Sequence, residues 1–445
     1  MKNKLKRIFW KLPLPLFVKE YLSRKRFEYI LSREKKSDEK NEISLNGDLY
    51  EYQNYIEQII KSYKSKSKDY KEYIDHKKAD GSDQKIAAYY LTQFHPNDKN
   101  NEWWGKGTTE WNNVNQAVPQ FVGHYQPRKP GELGYYDLRL KEVLSDQISL
   151  AQNYGIDIFC FYYYWFNGAR LLEKPLNIFL ENKDLDIMFC YCWANENWTK
   201  RFSGTNSDVL MSITHTEENY ISFLDSIIND FKDRRYYRIC DKPVLSIYRP
   251  SLIPNVKNVI RTWRSKAKDT IGCDLYIIAV QEKNLSVNWI NYGFDAETEF
   301  QPKQIELYCK DTTRSMKPIR SDFSGKIFDY KELVEKRMYN LKENMGKKVY
   351  PAVMPMWDNT PRRNNRGTIF HGSTPELYES WLSDVLQSVK NNDLLDDSLV
   401  FINAWNEWGE GAYLEPDDFF GYAYLQATWQ AKNNTNIGLN KNDEE

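Results

Sequence analysis

Phe401-Ile402-Asn403-Ala404-Trp405-Asn406-Glu407-Trp408-Gly409-Glu410-Gly411 is an apolar run that leads directly into two carboxylates framed by tryptophans and loosened by glycines. A strand that ends on reactive side chains is the unit from which (β/α)8 barrels build their sites, since chemistry there stands at the C-terminal ends of the strands. Glu407 and Glu410 are three apart, an odd spacing that a regular strand sends to opposite faces. Gly409 and Gly411 permit the turn or bulge that returns both carboxylates to one cavity. Paired carboxyl groups walled by rings fit glycosidic chemistry. One gives or takes a proton at oxygen, the other attacks or activates, and the rings pack on the apolar face of a sugar.

Outward from this segment, seven further β-branched or aromatic runs cover residues 86–94, 156–166, 187–193, 244–249, 275–281, 296–300 and 349–357, with 399–405 as the eighth. Amphipathic stretches such as 137–154, 217–232, 375–389 and 418–430 separate them. Strand and helix alternating in this way predict an α/β fold, a (β/α)8 TIM-like barrel. The predicted strand ends then gather the unusual residues. His95 follows the first, Tyr163 and Trp165 close the second, and Trp193, Asn195, Glu196 and Trp198 follow the third. Tyr248 ends the fourth, Gln281 the fifth and Glu299 the sixth; Trp357 ends the seventh, and Trp405 and Asn406 the eighth. All of these are expected to bind substrate except Glu196, which joins Glu407 and Glu410 as a catalytic candidate because an Asn-Glu pair at a strand end recurs in barrel glycosidases. The loop after the first strand adds Trp103, Trp104, Glu110 and Trp111, and three tryptophans in a polar, Gly-rich stretch read as a sugar-stacking lid. Its Gly105-Lys106-Gly107-Thr108 lacks the spacing of a phosphate loop.

Bulk properties narrow the partners. Lys+Arg and Asp+Glu balance at 62 each, which removes a global electrostatic argument for nucleic acid. The chain carries 14 Trp, 32 Tyr and 21 Phe, more rings than a core of this size asks for, so some are expected on a groove. Cysteines 160, 190, 192, 240, 273 and 309 form no repeated pair spacing and read as free thiols in a reducing compartment. Asp184-Leu185-Asp186 precedes the third strand and so belongs to the stability end of a barrel, away from any donor-binding metal. No metal or cofactor is expected. The most apolar stretch, 156–166, is too short to span a bilayer.

Residues 1–80 read as a basic N-terminal helical arm and linker, 81–435 as the barrel, and 436–445 as a disordered tail. The segment 2–40 holds 13 Lys/Arg against 5 Asp/Glu, and with its interspersed aromatics it is expected to touch an anionic membrane peripherally through residues 1–40. A solvated helical arm is the competing reading. Phe9-Trp10-Lys11-Leu12-Pro13-Leu14-Pro15-Leu16-Phe17-Val18 imitates a signal peptide, but Lys11, two prolines and the missing cleavage site argue against one, so a cytoplasmic location, peripheral to the inner membrane, is expected.

Five motifs carry a family resemblance: Ala88-Tyr89-Tyr90-Leu91-Thr92-Gln93-Phe94-His95-Pro96, the Trp103–Trp111 loop, Phe161-Tyr162-Tyr163-Tyr164-Trp165-Phe166, Trp193-Ala194-Asn195-Glu196-Asn197-Trp198 and Trp405-Asn406-Glu407-Trp408-Gly409-Glu410-Gly411. Residues 86 to 430 resemble the WbsX-type proteins of bacterial surface-polysaccharide gene clusters, relatives of the glycoside hydrolase family 99 endo-α-mannosidases and endo-α-mannanases. The resemblance implies a glycosyltransferase of O-antigen, capsule or lipopolysaccharide assembly, acting on a free or lipid-linked oligosaccharide or polysaccharide. It also implies that Glu407 takes the proton of a sugar 2-OH while Glu410 protonates the leaving oxygen, so that Glu410 should hold its proton above an ordinary Glu and Glu407 should be ionised. Gly409 stands where the hydrolases have His. A retaining endo-acting hydrolase and a non-catalytic carbohydrate-binding scaffold remain as alternatives.

Overall fold

The computed structural model describes residues 66–76, 83–199 and 209–437, together with Ile56. The expected arm and its membrane contact, and residues 438–445 of the expected tail, lie outside the described residues.

The central sheet contains β1 (Lys85–Tyr90), β2 (Ile158–Phe166), β3 (Met188–Trp193), β4 (Lys242–Ile247), β5 (Tyr276–Val280), β6 (Ala296–Thr298), β7 (Val349–Tyr350), β8 (Ala352–Val353) and β9 (Leu399–Ile402). Their lateral order is β7-β6-β5-β4-β3-β2-β1-β9-β8, all parallel. β7 pairs with β6 and β8 with β9, while only Pro351 separates β7 from β8. One strand position is therefore split, since proline lacks the N–H a continuous ladder needs, and the ring closes through it. Phe401 N–H still donates to Pro351 O at 3.0 Å. The result is the expected eight-position barrel.

Around it run α1 (Asp98–Trp104), α2 (Glu110–Gln116), α3 (Lys141–Asn153), α4 (Lys174–Glu181), α5 (Glu217–Ile227), α6 (Val256–Ile271), α7 (Tyr330–Glu335), α8 (Thr360–Arg363), α9 (Pro375–Lys390) and α10 (Ala423–Ile437). Only a 3-10 turn, Trp289–Tyr292, joins β5 to β6. α9 shows how such a helix is written. The Thr374 side chain caps it by accepting from Leu377 N–H, Pro375 takes the first turn where its missing N–H costs nothing, and Tyr378, Trp381, Leu382, Val385, Leu386 and Val389 form one buried stripe.

Residues 66–76, assigned above to the linker, belong to the barrel unit. Lys71 bridges to Gly421, Ser67 N–H donates to Phe419 O at 2.8 Å, and the His76 ring stacks on Trp429 at 4.0 Å. The compact unit begins at Lys66, and α10 carries it to Ile437 instead of ending at 435. No helix among the described residues is long and apolar enough to cross a membrane.

Strand parity decides which rings can meet a ligand. On β2 the odd residues face the helices: Phe161 packs on Phe179 of α4, and Tyr163 and Trp165 on Phe223 of α5. The even residues face the barrel interior, Tyr162 against Tyr89 and Tyr248, and Tyr164 against Trp198. Both faces are aromatic from Phe161 onward; the outward rings are buried, while Tyr162 and Tyr164 on the inward face are half-buried.

Candidate active site

Two Asn-Glu dipeptides shape the mouth in the same way. Asn406 Oδ1 accepts from Leu91 N–H at 2.8 Å and its Nδ2 donates to Leu91 O at 3.0 Å, stitching the end of the eighth position to the first. Asn195 Oδ1 accepts from Arg249 N–H at 2.7 Å and its Nδ2 donates to Arg249 O at 2.8 Å, stitching the third position to the fourth. Each amide satisfies backbone groups where the ladder gives out. The following glutamate, Glu407 or Glu196, is thereby turned toward the mouth. Both asparagines are buried clamps and do not offer their amides to a sugar, contrary to the expectation.

Glu407 lies at the start of a 3-10 turn, Trp408–Glu410, that ends on Gly411 at φ 59°, a left-handed conformation glycine adopts without strain. This turn brings Glu407 and Glu410 onto one partner. Arg362, at the end of α8, donates from Nη2 to Glu407 Oε1 at 2.8 Å, pairs through Nη1 with Glu410 Oε1 at 3.3 Å, and donates from Nε to Glu110 Oε1 at 2.8 Å. Nothing in the segment Pro361-Arg362-Arg363 signals this, because α8 reaches the site only by long-range packing. The side chain of Glu407 is 7% exposed and that of Glu410 27%. Burial therefore pushes the Glu407 carboxyl well above the ordinary range; Arg362 pulls it back, and Glu410 and Glu110 push it up again. The expected split had the raised carboxyl at Glu410. The carboxyl that burial raises is Glu407, which was expected to be ionised.

The second constellation is Arg249 with two carboxylates. Its Nη1 donates to Glu196 and its Nε to Glu282 Oε2 at 2.8 Å. The Tyr248 hydroxyl, pushed up by burial, feels the charges of both Glu196 and Glu410, which puts the two constellations around one mouth. Lys303 Nζ lies 4.0 Å from the Tyr248 ring centroid and 5.0 Å from that of Phe300. It is shielded from solvent and has no hydrogen-bond acceptor among the described residues. Burial draws its pKa down to about 8.

Of the expected sugar contacts, Trp103, Trp104, Trp198 and Tyr248 are half-buried. Others are core. Trp193 stacks on Phe223 at 4.0 Å and touches Trp263, while Tyr163 donates to Ser226 Oγ at 3.2 Å, so with Trp165 they fill the layer between sheet and helices. Trp405 is fully buried against Phe159. Trp111 is no lid: its Nε1 donates to Tyr136 O at 2.8 Å and it packs between Phe94 and Trp408. Trp357 is buried with no acceptor for its indole N–H among the described residues. Gln281 and Glu299 turn to the outer flank, where both hold Asn344, at 2.8 Å each, and Glu299 also accepts from Ala352 N–H at 3.1 Å. Burial lifts Glu299 to about 7. His95 is buried, and burial pulls its pKa down to about 4, so it is neutral at physiological pH. Glu110 is fully enclosed beneath the turn. The sequence reading missed Tyr162, Tyr164, Arg362 and Lys303; counting parity from a core ring such as Phe161 would have recovered the two tyrosines.

Among the described residues no group of three or more His, Cys, Asp or Glu is placed to hold a metal ion. Cys160, Cys190 and Cys192 are free and buried.

The described structure is thus a (β/α)8 barrel whose mouth gathers carboxylates and aromatic rings. The chain belongs to the family described as glycosyltransferase WbsX, whose model matches residues 86–428. It is 41% identical over 346 residues to the protein WxcX of Xanthomonas campestris pv. campestris strain B100, covering 78% of this chain and 49% of that one, and 40% identical to the WxcX of a second strain. The chain thus spans about half the length of the curated relatives it matches. In fold it is similar to the GH99 endo-α-mannosidase from Bacteroides thetaiotaomicron, with TM-score 0.50 and 14% identity over 80% of this chain and 98% of that one. It is also similar to a glycoside hydrolase-like protein, with TM-score 0.52 and 16% identity over 81% and 96%.

Proposed function

We propose that this chain is a glycosyl-transferring enzyme of bacterial surface-polysaccharide assembly that uses Glu407 and Glu410 in a retaining mechanism. The observation that carries the reading is the convergence of both carboxylates on the Arg362 guanidinium at the barrel mouth. In the first step Glu407 takes the 2-OH proton, O2 attacks C1 to give a 1,2-anhydro sugar, and Glu410 gives its proton to the departing oxygen. In the second, Glu410 takes the proton of an acceptor hydroxyl as that oxygen attacks C1, and Glu407 returns its proton to O2. This step starts from ionised Glu407, a form that its burial disfavours and that the Arg362 guanidinium favours. Glu410, the more exposed of the two, reaches the leaving group. The acceptor is a sugar hydroxyl in the transferase reading and water in the hydrolase alternative, which the fold likeness to an endo-α-mannosidase keeps in view. Peripheral contact of residues 1–40 with the inner membrane would bring the site to a lipid-linked glycan.

Purified protein offered nucleotide-sugars, and oligosaccharides cut from the host polysaccharide with and without a sugar acceptor, separates these readings. Transfer predicts a lengthened glycan. Release of reducing sugar alone favours hydrolysis, and glycan binding without turnover of any substrate sinks the enzyme in favour of a scaffold.

Lys303, whose buried ammonium beside Tyr248 has no acceptor among the described residues, would donate to an oxygen of a glycan that enters the mouth. Hydrogen bonds from charged groups contribute about 1.5–3 kcal/mol, so Lys303→Met should raise KM roughly tenfold or more with kcat little changed. An unchanged KM removes Lys303 from the binding surface.

A further inference from the structure

Gly409 has no room for a side chain. A Cβ at this position would fall 1.9 Å from Glu110 Oε1, 2.8 Å from Arg362 Nε and 2.9 Å from the Glu110 carboxyl carbon. The volume that a residue at 409 would occupy is filled by an ion pair from two distant segments, Glu110 of α2 and Arg362 of α8. Glu110 is fully buried and its Oε2 has no hydrogen-bond partner among the described residues; its Oε1 accepts from Arg362 Nε at 2.8 Å and from Asn113 Nδ2 at 3.5 Å, and Arg362 supplies the opposite charge. With Nε held by Glu110, the two remaining nitrogens of the planar fork are aimed at Glu407 and Glu410. A guanidinium keeps its charge at every working pH, whereas an imidazole at 409 would titrate.

We propose that Arg362, anchored by Glu110 and admitted by the missing side chain at Gly409, is the positioning residue that orients Glu407 and Glu410 and sets the ionisation of Glu407. The inference rests on the reading of that pair as the reacting groups for its meaning in catalysis, but not for its test. The charged groups facing Glu407 are Arg362, Glu410 and Glu110, and the Tyr164 hydroxyl, kept neutral by burial, faces it from β2. Removing the first removes an attraction for the ionised carboxyl, and removing the last removes a repulsion while leaving the guanidinium less shared.

The test needs no substrate: the full chain, labelled with 13C at the glutamate side-chain carboxyl, is titrated by NMR, and the Glu407 signal is assigned by its loss in Glu407→Gln. Arg362→Met should move the Glu407 midpoint up by about one pH unit or more, the scale of an opposite charge at contact. Glu110→Gln, whose amide oxygen still accepts from Arg362 Nε while the repelling charge is gone, should move it down. Gly409→Ala, which displaces the pair, should shift it upward as Arg362→Met does. Opposite signs for the Arg362 and Glu110 variants are what a purely structural role does not produce. Unmoved midpoints, or shifts of the same sign, overturn the proposal. Should Arg362→Met fail to fold, Glu110→Gln decides alone, a downward shift supporting the proposal and no shift overturning it. Failure of the catalytic reading shows elsewhere, as turnover that survives in Glu407→Gln and Glu410→Gln, so the two failures are told apart.

Discussion

Glu407→Gln is expected to lower turnover by about a thousandfold or more on every substrate, since it removes the group that takes the 2-OH proton, and general acid–base contributions run at roughly 10²–10⁴. Glu410→Gln should cost as much on a substrate with a poor leaving group but spare part of the rate on an activated aryl glycoside, whose leaving oxygen needs no proton. The asymmetry matters more than either loss. Both residues contact Arg362, so a variant at either disturbs the same ion cluster, and only the leaving-group dependence separates their roles. Rates with each variant on the two substrate types provide the check. Equal, mild losses would show that neither residue has the assigned role and would move the chemistry to Glu196, whose carboxylate is held by Arg249 across the mouth.

Trp193→Ala should act on stability and leave the chemistry of the folded molecules alone. Trp193 is fully buried, stacked on Phe223 and close to Trp263, and faces away from the mouth. Truncating such a ring leaves a cavity that neighbours fill only partly, at a cost of about 3–5 kcal/mol. Denaturant unfolding should show this loss, while turnover per folded molecule stays near that of the parent. Reduced turnover with unchanged stability would return Trp193 to the sugar-binding surface.

Barrel architecture was legible because each strand is a short apolar run that ends in polar residues, and all eight positions were found. Their faces were not. Between Phe161 and Phe166 every residue is aromatic, so hydropathy carries no sign for inward or outward, although Tyr162 and Tyr164 are half-buried and their neighbours buried. Tyr163 and Trp165 were therefore placed at the mouth while Tyr162 and Tyr164 hold it. Asn195 and Asn406 were misread for a different reason: the sequence marks them as polar at a strand end, but backbone groups left unpaired where the ladder stops claim their amides first. The convergence of Glu407 and Glu410 was legible because Gly409 and Gly411 signal the turn that brings both carboxylates to one side, where they meet Arg362. Arg362, from the short helix α8, and Lys303, from a turn after β6, reach the site through contacts made far along the chain. The interruption at Pro351 was equally hidden, since a proline between two valine-containing pairs reads as a flaw in one strand and is in fact the joint where the ring closes.

The central claim is that the barrel mouth holds a glycosidic bond between Glu407 and Glu410, and a crystal structure of the Glu410→Gln variant soaked with an oligosaccharide cut from the host polysaccharide tests it most directly. The account predicts a sugar whose 2-OH is within hydrogen-bond distance of Glu407 and whose glycosidic oxygen is within hydrogen-bond distance of the residue at 410, with Tyr248 and Trp198 along its faces. A glycan seated with those oxygens against Glu196 and Arg249, or bound outside the mouth altogether, would contradict it.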